Sequence, residues 1–593
     1  MPSSRGRVAA RASKPVALQP LSLPEADAAV LSWRDPAWPL FALLPVLILF
    51  LYSGWMYNAL EHLDPWFYTG TFFHLPEFKS QWFPDRYYGD RLSWTLPGYL
   101  LHRLFNPIAA RYVLHFGCYY LAIGCFYWLI RLAVPRAHAL LITILFGAHG
   151  PLLIALGHDY VDAPAIAYYL PAAACAVQAG RSTAPSRWLF ASGFFTACMI
   201  YSNIFMAVFL PSIALLYLYQ VFGSFIRHRL LAQLRLASFF FAGLFAVTIP
   251  LSILHFRWEG NPWLLSTSIR FSRELITVAN PWARKNWEWL SGAHWLVFPC
   301  VGFAAALILV LRGPAQPKSF PRLFALNLLL ISAGYLATHA KNGSVLGLDY
   351  YMSCILPASF LALGSLLGAA ENLLPRSRAW IPFLVLFTAI LLSWGTRRLG
   401  LPIFPYSTSR WWFLAGLAGI LILTFRPGRG GFAAAWTALL IANFGVTGHN
   451  LGNTHAFHSP AHMHEIYGRI TSAVKAASRE SGSSPMMFWF DYPGGPFRSE
   501  YTAINSSFLW HTTLLGDRFP EVSGKHLLRD SGKVAVLSSR LTPAEALSSA
   551  QQSLAPLGYL ARPLKSLRVQ SGSGGYQLIF LQLASLTPAA ATP

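Results

Sequence analysis

Long apolar stretches, each of about 18 residues or more, recur along the first three quarters of this 593-residue chain. Hydrophobic residues make up 55% of the chain and charged residues 11%, whereas charged residues are about 25% of ordinary soluble domains. A soluble chain of this length would divide into domains with polar surfaces. The pattern predicts a polytopic membrane protein, all-α in its membrane part.

Thirteen segments are long and apolar enough to be predicted as spans. Short polar loops separate these segments. The separation is weakest between the fifth and sixth segments, where only Tyr201, Ser202 and Asn203 intervene. The predicted spans are 37-57, 110-133, 138-157, 161-180, 187-203, 204-224, 236-256, 293-312, 322-339, 350-369, 379-395, 409-426 and 432-448.

Basic residues fall in every second loop, as thirteen spans with a cytoplasmic N-terminus require. The tail 1-36 is basic and lacks a small-residue cleavage site after the first span, so we do not interpret it as a signal peptide. Topology also explains the net charge of +22, so the charge does not indicate nucleic-acid binding. All six cysteines lie in apolar segments, which argues against a disulfide framework or a cysteine-ligated zinc site.

Acidic residues test this orientation independently. Eleven of the fifteen acids before residue 450 fall in or beside predicted external loops, two of which are long, 58-109 and 257-292. We call these the first and second long loops. Few acids lie in the middle of a span, where an ion pathway would usually place them.

The last part of the chain, 449-593, has the pattern of a small extracytoplasmic α/β domain. Strand-like runs occur at 485-490, 533-538 and 576-583. The stretch 542-559 has helical spacing, opening with Thr542 as N-cap and Glu545 three residues later. We therefore divide the chain into tail 1-36, membrane domain 37-448 and soluble domain 449-593.

The first long loop opens with EHLDPWFYTGTF, directly after an apolar run. An aromatic belt with anchoring charges explains the rings, but it explains Asp64 poorly, because acids are costly at the apolar boundary. The later stretch LSWTLPGYLLHRLF has the spacing of a helix in the interface plane. Rings that stack on sugars, basic groups that pair with phosphate and a carboxylate base would together form a chemical site.

A second acidic cluster, GHDYVDAP at 157-164, lies between two predicted spans with almost no loop. Asp162 precedes Ala-Pro and is expected to be a helix N-cap, a role compatible with chemistry. Both acidic clusters lie on one face of the membrane, which predicts a shared pocket.

This arrangement resembles the integral-membrane glycosyltransferases of the GT-C fold. The similarity is greatest to the branch with protein O-mannosyltransferases and bacterial aminoarabinose transferases. It rests on the acid after the first span, the acid in the turn between the third and fourth spans, and DPWFYTGTFFHLPEF…FPDRYYGDRLSWTLPGYLLHRLFNP. The resemblance is clear over about 37-260. From there to about 448 it rests on topology alone, and it is weak for the C-terminal domain.

The resemblance implies a bacterial inner-membrane enzyme that transfers a sugar from a polyprenyl-phosphate donor to an envelope lipid, glycan or protein. By position, Asp64 matches the first-loop catalytic acid, Asp162 matches the second acid, and Asp159 competes with Asp162. The mannosyltransferases carry adjacent Asp-Glu, whereas here Pro65 follows Asp64. This departure puts a mannosyl-protein acceptor in doubt.

Residue type and loop position indicate the remaining candidates for the site. As general base, Asp64 would take the proton of the acceptor hydroxyl. Phospholipid headgroup contact is the alternative role for each basic candidate. The candidates for donor phosphate are Lys79, Arg86, Arg270, Arg273 and Lys341. The candidates for sugar or acceptor are Glu61, Trp66, Tyr68, Tyr87, Tyr88 and His158.

Five histidines crowd the segment 449-464. They fit a polar linker better than a metal site, because no HExxH or paired-Cys pattern frames them. We therefore assign no cofactor with certainty and leave a divalent metal open. A transporter or flippase of lipid-linked sugars is the rival function, but the polar groups collect at one face and no internal repeat is evident. A non-catalytic envelope-assembly protein is the third alternative.

Overall fold

A computed structural model gives the architecture of most of the membrane part and of a C-terminal sheet. It describes residues 35, 37–56, 63–82, 87–225, 230–277, 293–312, 319–369, 384–392, 409–425, 428–453, 469, 473, 476, 487–490, 514–515, 533–538, 542–555, 558–571 and 574–585.

Helices occupy all thirteen segments that the apolar pattern predicted as spans, and further helices lie in the two long loops. In chain order they are α1 (Ala37–Leu51), α2 (Leu63–Glu77), α3 (Leu92–Leu104), α4 (Pro107–Arg131), α5 (Arg136–Gly147), α6 (Gly150–Gly157), α7 (Asp162–Arg181), α8 (Pro185–Ser202), α9 (Leu210–Phe225), α10 (Leu230–Glu259), α11 (Ser266–Thr277), α12 (Val297–Arg312), α13 (Phe320–Thr338), α14 (Asp349–Ser353) and α15 (Leu356–Ala369), followed by residues 384–392, Ser409–Phe425 and Arg429–Asn453.

Six helices of the described residues are long and apolar enough to cross a membrane, which makes the chain a multi-pass membrane protein. The pair α5 and α6 adds a seventh if it is one span bent by 61°. Three shorter apolar helices lie at Ala37–Leu51, Leu356–Gly368 and Trp411–Phe425. The total of thirteen spans stays a prediction.

The break between α5 and α6 has its own polar partners. His149 shares a 2.6 Å hydrogen bond with Asn443, and the Gly150 N–H donates to the Thr447 hydroxyl at 3.1 Å. Both partners lie on the helix Arg429–Asn453. A broken helix inside apolar surroundings needs such partners, because its freed backbone groups have no water to bond.

The first long loop folds into two helices joined through a π-helical turn, Phe78–Trp82. Asp64 and Pro65 occupy the first turn of α2, where acids and Pro are favoured. The helix predicted over LSWTLPGYLLHRLF is confirmed as α3, whereas its position in the interface plane stays a prediction. The Ser93 hydroxyl of α3 donates to the Cys198 carbonyl at 2.5 Å, which fixes α3 against α8.

Asp162 is the first residue of α7, and the N-cap residue is Val161. The prediction that Asp162 is the N-cap is therefore wrong by one position. No side-chain hydrogen bond caps this helix.

The C-terminal part forms a five-stranded sheet in the order β2-β1-β3-β5-β4, from β1 (Met487–Phe490), β2 (Leu514–Leu515), β3 (Lys533–Ser538), β4 (Tyr559–Ser571) and β5 (Gly574–Ser585). Strand β1 pairs in parallel with β2 and β3, and β5 pairs antiparallel with β3 and β4. The predicted N-cap is confirmed: Thr542 accepts from the Glu545 N–H at 3.3 Å at the start of helix Pro543–Leu554.

Strand β4 was not predicted from the sequence. It lies at an edge of the sheet, carries exposed basic residues and contains Pro563 beside a register irregularity. Pro and charges are tolerated on edge strands, where one side needs no hydrogen-bond partner. These residues hide the strand pattern in the sequence.

Two glycines allow α8 and α10 to cross closely. A Cβ built on Gly193 would lie 1.9 Å from the Phe240 carbonyl oxygen, and one on Gly243 would lie 1.9 Å from the Phe190 oxygen. We expect Gly193→Ala to destabilise the protein by about 1–3 kcal/mol, because the helix backbones must separate. Thermal unfolding in detergent measures this.

Gly117→Ala is the matched control, because no atom lies within 4 Å of a Cβ at that helical position. It should be neutral or stabilising by up to about 1 kcal/mol, from helix propensity alone. Equal unfolding temperatures for the two variants would contradict the close crossing.

Candidate functional site

Asp64 lies at the centre of a group of tyrosines drawn from three parts of the chain. The Tyr88 hydroxyl donates to its Oδ1 at 2.6 Å, and the Tyr160 hydroxyl donates to its Oδ2 at 3.3 Å. Tyr88 lies just before α3, and Tyr160 lies in the turn GHDYVDAP. The two acidic clusters of the sequence therefore meet, and the residue of the turn that contacts Asp64 is Tyr160.

Further rings extend this group. Tyr88 stacks between Phe67, with ring centroids 4.8 Å apart, and Tyr87, at 4.1 Å. Tyr160 contacts Tyr350 edge-on at 5.1 Å. Tyr68 and Tyr351 complete the ring cluster, which we call the tyrosine cluster: Tyr68, Tyr87, Tyr88, Tyr160, Tyr350 and Tyr351.

Arg91 brings positive charge to this cluster. Its guanidinium donates to the Tyr68 hydroxyl and lies 5.5 Å from the Tyr68 ring centroid and 5.0 Å from that of Tyr87. Such cation–π contacts hold a planar guanidinium over aromatic faces. One of its five N–H groups donates to Tyr68, so among the described residues the guanidinium retains donors for an anion.

The phenols around Asp64 stay protonated at neutral pH. Burial raises the pKa of Tyr88 well above its ordinary value, and the Asp64 charge and the neighbouring Tyr87 add to that rise. Burial does the same for Tyr160. Each phenol therefore remains a hydrogen-bond donor. Asp64 is only half-buried, so a substrate can reach it.

Asp159, the competing second acid, is buried in a saturated network. It accepts from Arg111 at 2.7 Å, from His115 at 2.8 Å and from the Thr69 hydroxyl at 2.6 Å. Burial raises the pKa of Asp159, but the Arg111 charge and these hydrogen bonds outweigh burial and hold the pKa below its ordinary value. The network connects α2, α4 and the turn that carries Tyr160.

Asp162 is also buried, but it has fewer partners. Its Oδ2 accepts from the Ser353 hydroxyl of α14 at 3.3 Å. Its Oδ1 is buried without a hydrogen-bond partner among the described residues. Of the two acids in this turn, Asp162 thus accepts fewer hydrogen bonds from the described residues.

Lys79 lies in a buried ion pair rather than at an exposed surface. Its ammonium is 2.5 Å from Glu259 Oε1 and 3.7 Å from Asp90 Oδ1. One group of described residues has the spacing of metal ligands: the potential ligand atoms of Asp90, His255 and Glu259 lie within 4.8 Å of one another. The Lys79 ammonium already supplies a cation between the two carboxylates.

The other predicted site residues are scattered. Arg270 and Arg273 are exposed on α11, which packs against the π-helical turn His339–Gly343 with exposed Lys341. Tyr87 stacks on Phe271 of α11 at 4.5 Å, so α11 borders the tyrosine cluster. His158 is buried. Trp66 lies on α2, whereas Glu61, Arg86 and the histidines at 455-464 lie outside the described residues.

Sequence reasoning missed Arg91, Tyr160, Tyr350 and Tyr351 as site residues. Tyr160 lies between the two acids Asp159 and Asp162, and residue type alone favours the acids as chemical groups. Tyr350 and Tyr351 open a predicted span, where tyrosines usually read as interface anchors. Only the three-dimensional contacts show that they belong to the tyrosine cluster and are more than interface anchors.

No protein-family model matches the chain, and no curated protein sequence matches it. ArnT from Cupriavidus metallidurans, bound to undecaprenyl phosphate, has a similar structure with a TM-score of 0.48 and 14% identity, covering 94% of this chain and 99% of that chain. The apo state of the same protein is similar with a TM-score of 0.47 and 14% identity, covering 94% of this chain and 98% of that chain.

The apo oligosaccharyltransferase of Archaeoglobus fulgidus is similar with a TM-score of 0.43 and 13% identity, covering 95% of this chain and 76% of that chain. These proteins are GT-C membrane glycosyltransferases, the group that the sequence motifs resemble. Their TM-scores lie below 0.5, so the function of this chain has to follow from its own residues.

The Asp159 network predicts a stability defect. We expect Asp159→Asn to destabilise the protein by about 3–5 kcal/mol, because Arg111 would be left buried without its counter-charge. Thermal unfolding in detergent at neutral pH measures the loss. The exposed Asp349 provides the control, and Asp349→Asn should change the unfolding temperature little.

The same network sets a pH dependence. Because the folded-state pKa of Asp159 is lowered, its stabilisation is complete above the ordinary carboxyl pKa of about 3.9 and is lost as the pH falls further. Asp159→Asn should therefore lose less stability than the wild type on acidification below about pH 4. Parallel stability curves for the two proteins would contradict this assignment.

Proposed function

We propose that the chain is a membrane glycosyltransferase that moves a sugar from a polyprenyl-phosphate donor to a cell-envelope acceptor on the extracytoplasmic face. The observation that carries this proposal is Asp64, a half-buried carboxylate that two neutral phenols orient within a tyrosine-rich pocket beside Arg91. The pocket combines a base, sugar-stacking rings and an anion partner.

Asp64 acts as the general base. A carboxylate has about four acceptor positions, and the two tyrosines occupy two of them, which leaves room for an acceptor hydroxyl. The hydroxyl gives its proton to Asp64 as its oxygen bonds to the anomeric carbon. The bond from that carbon to the phosphate oxygen breaks, and polyprenyl phosphate leaves. A single displacement of this kind inverts the anomeric carbon.

Arg91 binds the donor phosphate in this proposal. A planar guanidinium matches phosphate oxygens with two parallel N–H groups. Its charge stabilises the negative charge that grows on the leaving phosphate. Arg270, Arg273 and Lys341 stay proposed partners of the phosphate or of the lipid headgroup. The two arginines are exposed on α11, which borders the cluster, and Lys341 is exposed on the turn that packs against α11.

Asp162 is the proposed second acid. Its unpartnered Oδ1 and its bond to Ser353 place a carboxylate beside α14, whose Tyr350 contacts Tyr160. There it can accept a hydrogen bond from a sugar hydroxyl. The saturated partners of Asp159 favour a positioning role for that residue.

Replacing the base tests the proposal. With radiolabelled polyprenyl-phosphate sugar and an envelope acceptor fraction, we expect Asp64→Asn and Asp64→Ala to lower transfer by about 10²–10⁴-fold, because no carboxylate takes the proton. Glu274→Gln, at an exposed acid of α11, is the control and should keep wild-type transfer. Transfer that survives both Asp64 changes in folded protein sinks the catalytic role.

The phosphate role of Arg91 makes a separate prediction. Arg91→Lys keeps the charge but loses the planar fork, so KM for the donor should rise by about tenfold with a smaller change in kcat. Initial rates over a range of donor concentrations measure both constants. An unchanged KM for the donor would remove Arg91 from the phosphate site.

A further inference from the structure

Lys79, Asp90 and Glu259 form a buried cluster that links three separate parts of the chain. The side chains of Lys79 and Asp90 are 0% exposed and that of Glu259 is 5% exposed. Lys79 comes from the π-helical turn after α2, Asp90 from the turn before α3, and Glu259 ends α10. His255, one helical turn before Glu259, lies 3.6 Å from it.

Asp90 extends the cluster to α11. Its Oδ2 accepts from the Thr267 hydroxyl, from the Ser268 N–H at 3.2 Å and from the Ser268 hydroxyl at 3.4 Å. These donors lie in the first turn of α11, where a carboxylate also interacts favourably with the helix dipole. One carboxylate thus joins Lys79 to the helix that carries Arg270 and Arg273.

The packing around Lys79 is fitted to its side chain. A Cβ built on Gly89 would lie 3.1 Å from Lys79 Cγ and 3.2 Å from Lys79 Nζ, so a residue larger than Gly would press on the ammonium. Gly89 and Asp90 directly precede Arg91. The position of the Lys79 ammonium therefore constrains the backbone that presents Arg91 to the tyrosine cluster.

We propose that Lys79 is an internal counter-ion that positions Arg91 and α11 around the Asp64 pocket, and that it does not bind the donor phosphate. Two buried carboxylates without a cation would repel each other and lose solvation. The ammonium between them holds the first long loop against the end of α10 and the start of α11. Its effect on donor binding rests on the proposed function, whereas the structural role does not.

A charge-compensation experiment on the full-length protein in detergent separates a counter-ion from a ligand. Lys79→Met should raise the rate of limited proteolysis by about tenfold or more, because both carboxylates lose their cation. Lys79→Met/Glu259→Gln removes one carboxylate with the ammonium and should recover most of the wild-type resistance. Lys565→Met, at an exposed position of β4, is the control for loss of a lysine and should cleave like wild type.

The coupling is read as a double-mutant cycle completed by Glu259→Gln alone. A double variant that is more resistant than Lys79→Met supports the counter-ion. A double variant as labile as Lys79→Met, or a Lys79→Met protein as resistant as wild type, overturns it. Because this readout needs no donor, it stands even if the proposed transfer reaction fails.

The kinetic arm uses the same variants with labelled polyprenyl-phosphate sugar. A counter-ion predicts that Lys79→Met/Glu259→Gln returns donor KM to within about threefold of wild type, since Arg91 regains its position. A phosphate ligand predicts a raised KM in both Lys79 variants and no loss of protease resistance. That second result would return Lys79 to the donor site.

Discussion

The hydrogen bond from Tyr88 to Asp64 joins the start of α2 to the segment before α3 within the first long loop, and the site depends on it. Asp64 begins α2 and Tyr88 precedes α3, so the bond closes the loop on itself. A carboxylate near apolar surroundings needs hydrogen-bond donors to replace the water it has lost. Tyr160 supplies the second donor from another part of the chain, which brings the turn between α6 and α7 into the same pocket.

Three buried polar groups each link different elements of the membrane part. The Asp159 network connects α2, α4 and the Tyr160 turn. The Lys79 cluster connects the first long loop with α10 and α11. Hydrogen bonds of His149 with Asn443 and of Gly150 with Thr447 hold the bend between α5 and α6. In a low-dielectric setting such pairs are costly to break, so they fix where Asp64, Tyr160 and Arg91 lie.

Apolar length made the helices predictable, because the membrane demands it of every span. It could not place Asp64 beside Tyr88 and Tyr160, since hydrogen bonds across 24 and 96 residues leave no local pattern. Residue type and loop position suggested Lys79 as a phosphate ligand but could not show that its side chain is 0% exposed and ion-paired with Glu259. The turn GHDYVDAP was recognised by its acids, whereas its tyrosine makes the contact with Asp64.

In the proposed reaction Asp64 performs the chemistry rather than holding the donor. The direct measurement compares donor binding with single-turnover transfer in purified wild type and Asp64→Asn, each preloaded with labelled polyprenyl-phosphate sugar. The account predicts donor dissociation constants within about threefold of each other and a transfer rate lower by about 10²–10⁴-fold in the variant. Equal transfer rates, or a loss explained entirely by weaker donor binding, would contradict it.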